Sequence, residues 1–349
     1  MAWAERRSKG WRGRYRDGLG HIRTAPGGTF THKQAALYAA TEAEARSRSS
    51  QWDTRTARMT WGDWWTAWEP TRTVEESTRI TDAERYRRHL APQWARVPLA
   101  AISPMSIQTW VAQLLTGTAR SSARPLKPTT VKRILTPFAA SLDAAVANRM
   151  LRENPARGVR IGGGTESHER YLTKAEVAAV SAQLTADRAI AFRALAYTGL
   201  RWGELAGLRW RSVDVQRRII RVTESWDEKA RALKPYPKGR KPRTVPVPQP
   251  IITEWGAPGA PDAWVFSGHT GKRLAVKAFR AAVNAAAAEA GVQPFRLHDL
   301  RHTYASWLLQ SGVPLAEVGR LLGHTSAQTT ERYAHLADIP VDHIMQALA

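Results

Sequence analysis

The stretch His298-Asp-Leu-Arg301-His302, followed by Leu-Leu-Gly-His324 and then by Tyr333, concentrates groups that can hold a phosphate and move protons. His298 and Arg301 are three positions apart, so on a helix they would share one face. Residues 314–322 predict a short helix that ends at Gly323, which would place His324 on the following turn. This part of the chain is therefore expected to be mainly helical and to carry a polar site.

The composition favours a partner that is a polyanion. The chain has 349 residues, a net charge of +22 and a sequence pI near 11.0, which points to nucleic acid rather than to a membrane surface. It contains no cysteine, so disulfides, thiolate catalysis and cysteine zinc sites are excluded. The sequence shows no signal peptide and no apolar run of the roughly 18–20 residues that a bilayer requires. We expect two or three domains in a cytoplasmic, nucleoid-associated protein.

Residues 1–55 predict a small module in which a sheet is backed by one helix. The run from Trp11 to Arg16 alternates with a period of two, and Asp17-Gly18 offers a hairpin turn before a second strand at 20–24. Residues 31–48 are rich in alanine and predict a helix. One face of the strand would carry three arginines, which either are simply solvated or contact DNA phosphates: Arg12, Arg14 and Arg16.

Residues 56–160 predict an all-helical bundle. Tryptophans recur at spacings of three and four, which places them on one helix face and predicts a core: Trp61, Trp64, Trp65 and Trp68. Three further helices are expected at 74–90, after Ser103, and from Thr129 or Thr130 to Met150. The glycine-rich run at 161–167 predicts a linker to the last unit.

Residues 168–349 predict a mainly helical unit with a small antiparallel β-sheet. Strands are expected at 209–223 and 244–247, and a basic hairpin at 231–243 lies between them. That hairpin holds six basic residues and no acidic one: Arg231, Lys234, Lys238, Arg240, Lys241 and Arg243. We expect Arg240, Lys241 and Arg243 to contact DNA. An apolar stripe at 341–348 could dock on its own domain or on a neighbouring protomer.

Four motifs taken together resemble the tyrosine recombinase (phage integrase) family in order, residue type and spacing. They are Thr198-Gly-Leu-Arg201-Trp-Gly-Glu204-Leu, His298-Asp-Leu-Arg301-His302, Leu-Gly-His324 and Tyr333. The resemblance covers residues 170–337. The bundle is similar to the core-binding domain of that family, and the N-terminal module to the arm-binding domain of its larger integrases.

The resemblance implies six catalytic residues, with Tyr333 as the nucleophile: Arg201, Lys238, His298, Arg301, His324 and Tyr333. The family's lysine lies eight positions before a proline that ends a strand, and counting back from Pro246 gives Lys238. Lys234 and Lys241 compete for that role on the same hairpin.

The resemblance also implies the reaction and its partners. Four protomers would act on two double-stranded DNA attachment sites through a 3′-phosphotyrosyl link, with no metal and no cofactor. A directionality factor or a host DNA-bending protein is a candidate accessory partner. The enzyme would thereby integrate or excise a phage or a mobile element.

Each residue type suits this chemistry. Two guanidiniums can donate paired hydrogen bonds to the phosphate oxygens and remain charged at any working pH. A tyrosine with a pKa of about 10 needs a base and cationic surroundings to attack. The hypothesis assigns the proton acceptor to His298 and a phosphate hydrogen bond to His324, while Lys238 protonates the departing 5′-oxygen. Glu204 would orient Arg201 or cap its helix, and His302 would have a supporting structural role.

Three alternatives use part of the same pattern. A metal site from His298, Asp299 and His302 is conceivable at helical spacing, but it explains neither the arginines nor Tyr333. A DNA-binding protein that has lost catalysis would not need the complete set of six residues. A nicking-closing topoisomerase would share the chemistry, and the arm-like module and basic bundle favour recombination over it.

Overall fold

The computed structural model describes residues 2–17, 20–49, 59–163, 170–237, 239, 241–268, 271–324, 331 and 333. Lys238, Arg240 and the apolar stripe at 341–348 lie outside the described residues. The chain divides into two units, Met1–Glu166 and Ser167–Ala349. Within the described ranges, no helix has both the length and the apolar character needed to cross a bilayer.

The N-terminal module is an antiparallel sheet of order β1-β2-β3, covered on one face by a helix. Its elements are β1 (Trp3–Arg7), β2 (Gly10–Arg16), β3 (Ile22–Phe30) and α1 (Lys33–Ser49). Sequence patterning did not predict β1, because Ala-Glu-Arg-Arg has no apolar alternation. Helix α1 packs on the face that carries Gly13, where an added Cβ would lie 2.5 Å from the Ala36 carbonyl oxygen. Tyr15 packs on the same small core.

The helical bundle contains the predicted tryptophan core. Its helices are α2 (Trp61–Trp68), α3 (Glu76–Arg85), α4 (Ala91–Trp94), α5 (Pro104–Thr116) and α6 (Pro128–Ala147). Three of the four α2 tryptophans are buried, and two of them donate indole hydrogen bonds to Ser141. The Trp61 Nε1 donates to its hydroxyl at 2.9 Å and the Trp64 Nε1 to its carbonyl at 2.7 Å. These bonds fix α2 against α6 across the core.

The helix predicted at 74–90 is interrupted rather than continuous. It ends as an α-helix at Arg85 and continues as a π-helical turn, Tyr86–Leu90, before α4 begins. Pro92 has no backbone N–H to donate, so the regular hydrogen-bond ladder cannot run through this point. The α-helical hydrogen-bond pattern of this stretch therefore changes in the turn before Pro92.

The C-terminal unit contains two small antiparallel sheets. The strands are β4 (Val213–Asp214), β5 (Ile219–Val222), β6 (Ser225–Asp227), β7 (Ala232–Lys234) and β8 (Arg243–Pro246). Strand β5 pairs with β4 and β8, whereas β6 and β7 form a separate hairpin. The hairpin predicted at 231–243 was therefore placed too late in the chain. Three prolines between β7 and β8 lack the N–H groups that a ladder needs: Pro235, Pro237 and Pro242.

Helices surround these sheets and supply most of the core. They are α7 (Lys174–Ala182), α8 (Ala186–Thr198), α9 (Trp202–Ala206), α10 (Gln249–Thr253), α11 (Val276–Glu289), α12 (Asp299–Gln310) and α13 (Leu315–Leu322). Thr173 and Glu176 form a capping box at the start of α7, with both hydrogen bonds present. Gly323 ends α13 in the left-handed conformation, as its sequence position predicted.

Candidate active site

The first part of the site lies where α8 ends and α9 begins. Gly199 stops α8 with a φ of 62°, and Arg201 then occupies the N-cap position of α9. The Glu204 carboxylate accepts a hydrogen bond from the Arg201 backbone N–H at 2.8 Å and another from its Nη1 at 3.0 Å. Glu204 thus does both things that the sequence left as alternatives, because it caps the helix and orients the arginine.

A second guanidinium, that of Arg243, also donates hydrogen bonds to this carboxylate. Its Nη1 and Nη2 donate to the two Glu204 oxygens at 2.9 and 2.6 Å, and its Nε donates to the Leu321 carbonyl at 2.8 Å. The Arg243 side chain is only 6% exposed. The expectation that Arg243 contacts DNA therefore differs from the structure, because a buried carboxylate requires a paired cation. Nothing in the sequence around Arg243 indicated Glu204 as its partner.

Glu204 is a buried carboxylate among several guanidiniums. Its burial alone would raise its pKa, but hydrogen bonds from Arg243 and the charges of Arg243, Arg201 and Arg301 outweigh that effect and lower the pKa to about 2. The group is therefore ionised throughout the physiological range.

Arg301 is held between two helix ends. It is 2% exposed, its Nη1 donates to the Gly199 carbonyl at 2.8 Å, and its Nη2 donates to the Leu322 carbonyl. Burial and then the charge of Arg201 lower its pKa to about 9, while Glu204 opposes that shift. Arg301 stays cationic at neutral pH, and an anion placed beside it would relieve the unfavourable positive charge.

Two histidines lie close to Arg301 in the sequence. His298 comes directly before α12, and His302 lies within it. His298 is the N-cap residue, and its ring meets that of His302 at a centroid distance of 4.8 Å and an angle of 86°. The pKa of His298 is lowered to about 4, mainly by burial and in addition by the neighbouring His302, Arg301 and Arg201. His298 is therefore neutral at pH 7.

Tyr333 is buried against α12 and α13. It is 1% exposed and belongs to an apolar cluster with Tyr304 and Leu322, and its hydroxyl shares a hydrogen bond with the Nδ1 of His302. The His324 ring lies parallel to the Tyr333 ring at a centroid distance of 6.5 Å. The structure thus brings both histidine motifs and the tyrosine into one cluster.

Asp299 is engaged by a neighbouring arginine. Its carboxylate accepts from the Arg296 backbone N–H at 2.7 Å and from the Arg296 Nη2 at 2.8 Å. Among the described residues, no group of three His, Cys, Asp or Glu side chains is arranged to hold a metal ion.

The basic segment between β7 and β8 is only partly described. Lys234 forms an ion pair with Asp227 at 2.6 Å, while Lys241 is exposed. Lys238 and Arg240 are outside the described residues. Whether the lysine of the site is Lys238, Lys234 or Lys241 accordingly remains a prediction.

A cavity of about 640 Å³ opens beside His298. Its apolar wall includes Trp202 and Phe295, and its polar edge includes Arg280 and Arg296. Arg280 is exposed on α11. Glu228 also lines the cavity, so it provides room and side chains of both charges next to the buried cluster.

The left-handed Gly199 permits the close packing of α8 on α12. A Cβ at this position would lie 2.4 Å from the Tyr304 Cδ1, so Gly199→Ala is expected to destabilise the C-terminal unit by about 3 kcal/mol or more through backbone strain and overpacking. Gly291 is a matched control, because its φ of 67° is similar but no atom lies within 4 Å of an added Cβ. Gly291→Ala should cost only about 1–2 kcal/mol. Equal losses for the two variants in urea unfolding would contradict the packing argument.

The sequence of this chain is similar to the sequences of known proteins. A sequence model of the phage integrase family matches residues 170–339. The integrase of Mycobacterium phage L5 is 25% identical over 297 residues, which cover 81% of this chain and 76% of that protein. The tyrosine recombinase XerC of Bifidobacterium longum (strain DJO10A) is 30% identical over 258 residues, which cover 64% of this chain and 69% of the relative.

Solved structures show the same fold at low sequence identity. The Tn1549 transposon integrase in complex with transposon right end DNA matches with a TM-score of 0.67 and 17% identity, over 79% of this chain and 94% of that one. A lambda integrase tetramer bound to a Holliday junction matches with a TM-score of 0.60 and 16% identity, over 94% of each chain. From the family match and the relatives of 30% identity, the chain belongs to the phage integrase family of tyrosine recombinases.

Proposed function

We propose that this site-specific recombinase cuts and rejoins DNA through a covalent link between Tyr333 and a 3′-phosphate. The observation that carries the proposal is the convergence of Arg201, Arg301 and Tyr333 around one buried network. Arg301 contacts the carbonyls of Gly199 and Leu322, while Tyr333 packs on the same helix ends. Residues spread over 132 positions, from Arg201 to Tyr333, would thereby form one cationic site beside a nucleophile.

The charges of the site suit a phosphodiester. The guanidiniums of Arg201, Arg243 and Arg301 all act on the carboxylate of Glu204, so positive charge is in excess around this group. Arg243 neutralises Glu204 from the buried side, which leaves Arg201 and Arg301 to stabilise the additional charge that the pentacoordinate transition state places on the phosphate oxygens. Preorganised donors of this kind are the main source of rate in phosphoryl transfer.

In the cleavage step, the Tyr333 hydroxyl attacks phosphorus and the bond to the 5′-oxygen breaks. The phenol proton leaves as the new O–P bond forms, and the departing 5′-oxygen takes a proton from a general acid. We assign that acid to Lys238 and a phosphate hydrogen bond to His324. The energy of the phosphodiester is retained in the phosphotyrosyl bond, so a second strand can be joined by the reverse step.

We further propose double-stranded DNA attachment sites as the substrate and a tetramer as the working assembly. The related Tn1549 integrase was solved with transposon DNA, and a lambda integrase was solved as a tetramer on a Holliday junction. In this chain, the cavity beside His298 would receive the backbone that flanks the cleaved phosphate, with Arg280 at its edge. Lys241 is exposed and suited to the same role.

The N-terminal module offers a separate basic surface for arm-type DNA sites. Arg12, Arg14 and Arg16 alternate along β2 with residues that face α1. Arg14 donates to the Thr24 hydroxyl at 2.7 Å and Arg16 to the Gly20 carbonyl at 3.0 Å, so the sheet itself positions both side chains. Their fixed spacing suits contacts with successive phosphates.

A nicked suicide substrate tests the proposed chemistry. After cleavage, the short strand that carries the 5′-hydroxyl diffuses away, so the covalent protein–DNA adduct accumulates. We expect wild-type protein to form this adduct and Tyr333→Phe to form none while still binding DNA, because the variant keeps the ring and lacks the nucleophilic oxygen. An adduct with Tyr333→Phe would refute the assignment of the nucleophile.

A further inference from the structure

The hydroxyl of Tyr333 shares a hydrogen bond with the Nδ1 of His302. The residues are 31 positions apart in the sequence, and both are buried, with 4% of His302 and 1% of Tyr333 exposed. A buried tyrosine hydroxyl needs a hydrogen-bond partner, and an imidazole nitrogen is a partner that can also accept its proton. The contact places a potential base at the atom that must lose a proton.

We propose that His302, rather than His298, accepts the phenol proton of Tyr333 during cleavage. The proposal rests on the proposed function above, because it concerns the proton that leaves when Tyr333 attacks. It changes the role of His302 from structural support to proton transfer. His298, at the mouth of the cavity, is then left to hydrogen-bond the phosphate.

The surroundings of the two rings favour this division. His298 lies edge-on to His302, lines the cavity and has a lowered pKa, which makes it a weak base. Because His298 is neutral, an imidazolium that forms at His302 does not face a second one.

The proposed step balances in atoms and charge. As the bond from the Tyr333 oxygen to phosphorus forms, the phenol O–H bond breaks and its proton moves to the Nδ1 of His302. The bond from phosphorus to the 5′-oxygen breaks with its electron pair, and that oxygen takes a proton from the general acid. In rejoining, the 5′-hydroxyl attacks phosphorus and gives its proton back to the group that served as the general acid. The bond from phosphorus to the Tyr333 oxygen breaks with its electron pair, and His302 returns its proton to that oxygen.

The test combines a missing base with a more acidic nucleophile. Single-turnover adduct formation on the nicked substrate is measured for wild type, His302→Ala and His302→Asn, each with tyrosine or 2,3-difluorotyrosine at position 333. Fluorine lowers the pKa of the phenol below its usual value of about 10, so the reaction depends less on a base. Asparagine can keep a hydrogen bond near the Nδ1 position but cannot accept the proton at neutral pH.

We expect both His302 variants to slow adduct formation by roughly 10²–10⁴-fold with little loss of DNA binding. Difluorotyrosine at position 333 should speed both variants by at least about tenfold more than it speeds wild type, as a lost general base predicts. Difluorotyrosine at Tyr304, which is buried in the same cluster, is the matched control and should rescue nothing.

Two results would overturn the proposal. One is a rate for His302→Asn within a few fold of wild type, which would leave only a hydrogen-bonding role. The other is an equal response to fluorine with and without His302. Should His302→Ala fail to fold, His302→Asn with the two tyrosines still decides the question. Failure of the proposed function looks different, because wild type would then give no adduct or Tyr333→Phe would give one.

Discussion

Glu204→Gln is expected to lower the free energy of unfolding of the C-terminal unit by about 3–5 kcal/mol, the usual cost of breaking a buried ion pair from one side. The substitution keeps the shape of the side chain but removes the charge that Arg243 and Arg201 share. Arg243 would then remain buried without a counter-ion. Hydrogen exchange of residues 170–237 during urea unfolding would measure this unit separately.

A second carboxylate provides a control for Glu204→Gln. Glu254 pairs with Arg193 at 2.7 Å in the same unit, but both side chains are roughly one-third exposed. Glu254→Gln changes the net charge by the same amount and should cost no more than about 1 kcal/mol. Similar losses of unfolding free energy in the two variants would show that burial of the Glu204 ion pair adds nothing to its contribution to stability.

The same carboxylate sets a dependence of stability on pH. Its pKa in the folded protein is about 2, below the ordinary 4.5, so its contribution is complete above pH 4.5 and is lost as the pH falls towards 2. The loss should be on the order of 3 kcal/mol in wild type and absent in Glu204→Gln. His298, whose pKa is also lowered, titrates in both proteins and cancels in the comparison.

Arg301→Lys is expected to slow adduct formation by roughly 10²–10³-fold, the usual effect of losing one preorganised donor to a transition state. The arginine donates to the Gly199 and Leu322 carbonyls with separate nitrogens and still presents its charge to the site. An ammonium keeps the charge but cannot span both carbonyls and a phosphate with a fixed fork of donors.

Arg320→Lys is the matched control for Arg301→Lys. Arg320 also pairs through its guanidinium, with Glu317 on α13, but its side chain is 66% exposed. Its replacement should leave the adduct rate unchanged. If Arg301→Lys retained the wild-type rate on the nicked substrate, then charge alone would suffice and the geometric role of the guanidinium would be wrong.

Much of the architecture could be predicted because local chemistry determined it. The tryptophan spacing of α2 and the glycine after α13 each act through residues close in sequence, and the structure confirms both predictions. The interruption of the helix at 74–90 was missed, because Pro92 acts on hydrogen bonds rather than on apolar periodicity. The β6–β7 hairpin was placed too late because the basic run looked like a turn.

Some contacts within the site could not be predicted from the sequence. Motifs in order placed Arg201, Arg301 and Tyr333 in one region, since each lies at a recognisable spacing. The pairing of Arg243 with Glu204 joins positions 39 apart, and the contact of His302 with Tyr333 joins positions 31 apart. Such contacts depend on how helices and strands pack, so no local pattern predicts them.

The two arginine contacts at the end of α13 also limit how fragments of related enzymes can be joined into working chimeras. Arg243 holds the Leu321 carbonyl and Arg301 holds the Leu322 carbonyl, while Arg243 simultaneously binds Glu204. A chimera with its junction between residues 204 and 243 would combine a carboxylate from one parent with a guanidinium from the other. Fragments should therefore be exchanged so that these positions, together with residues 321–322, come from a single parent.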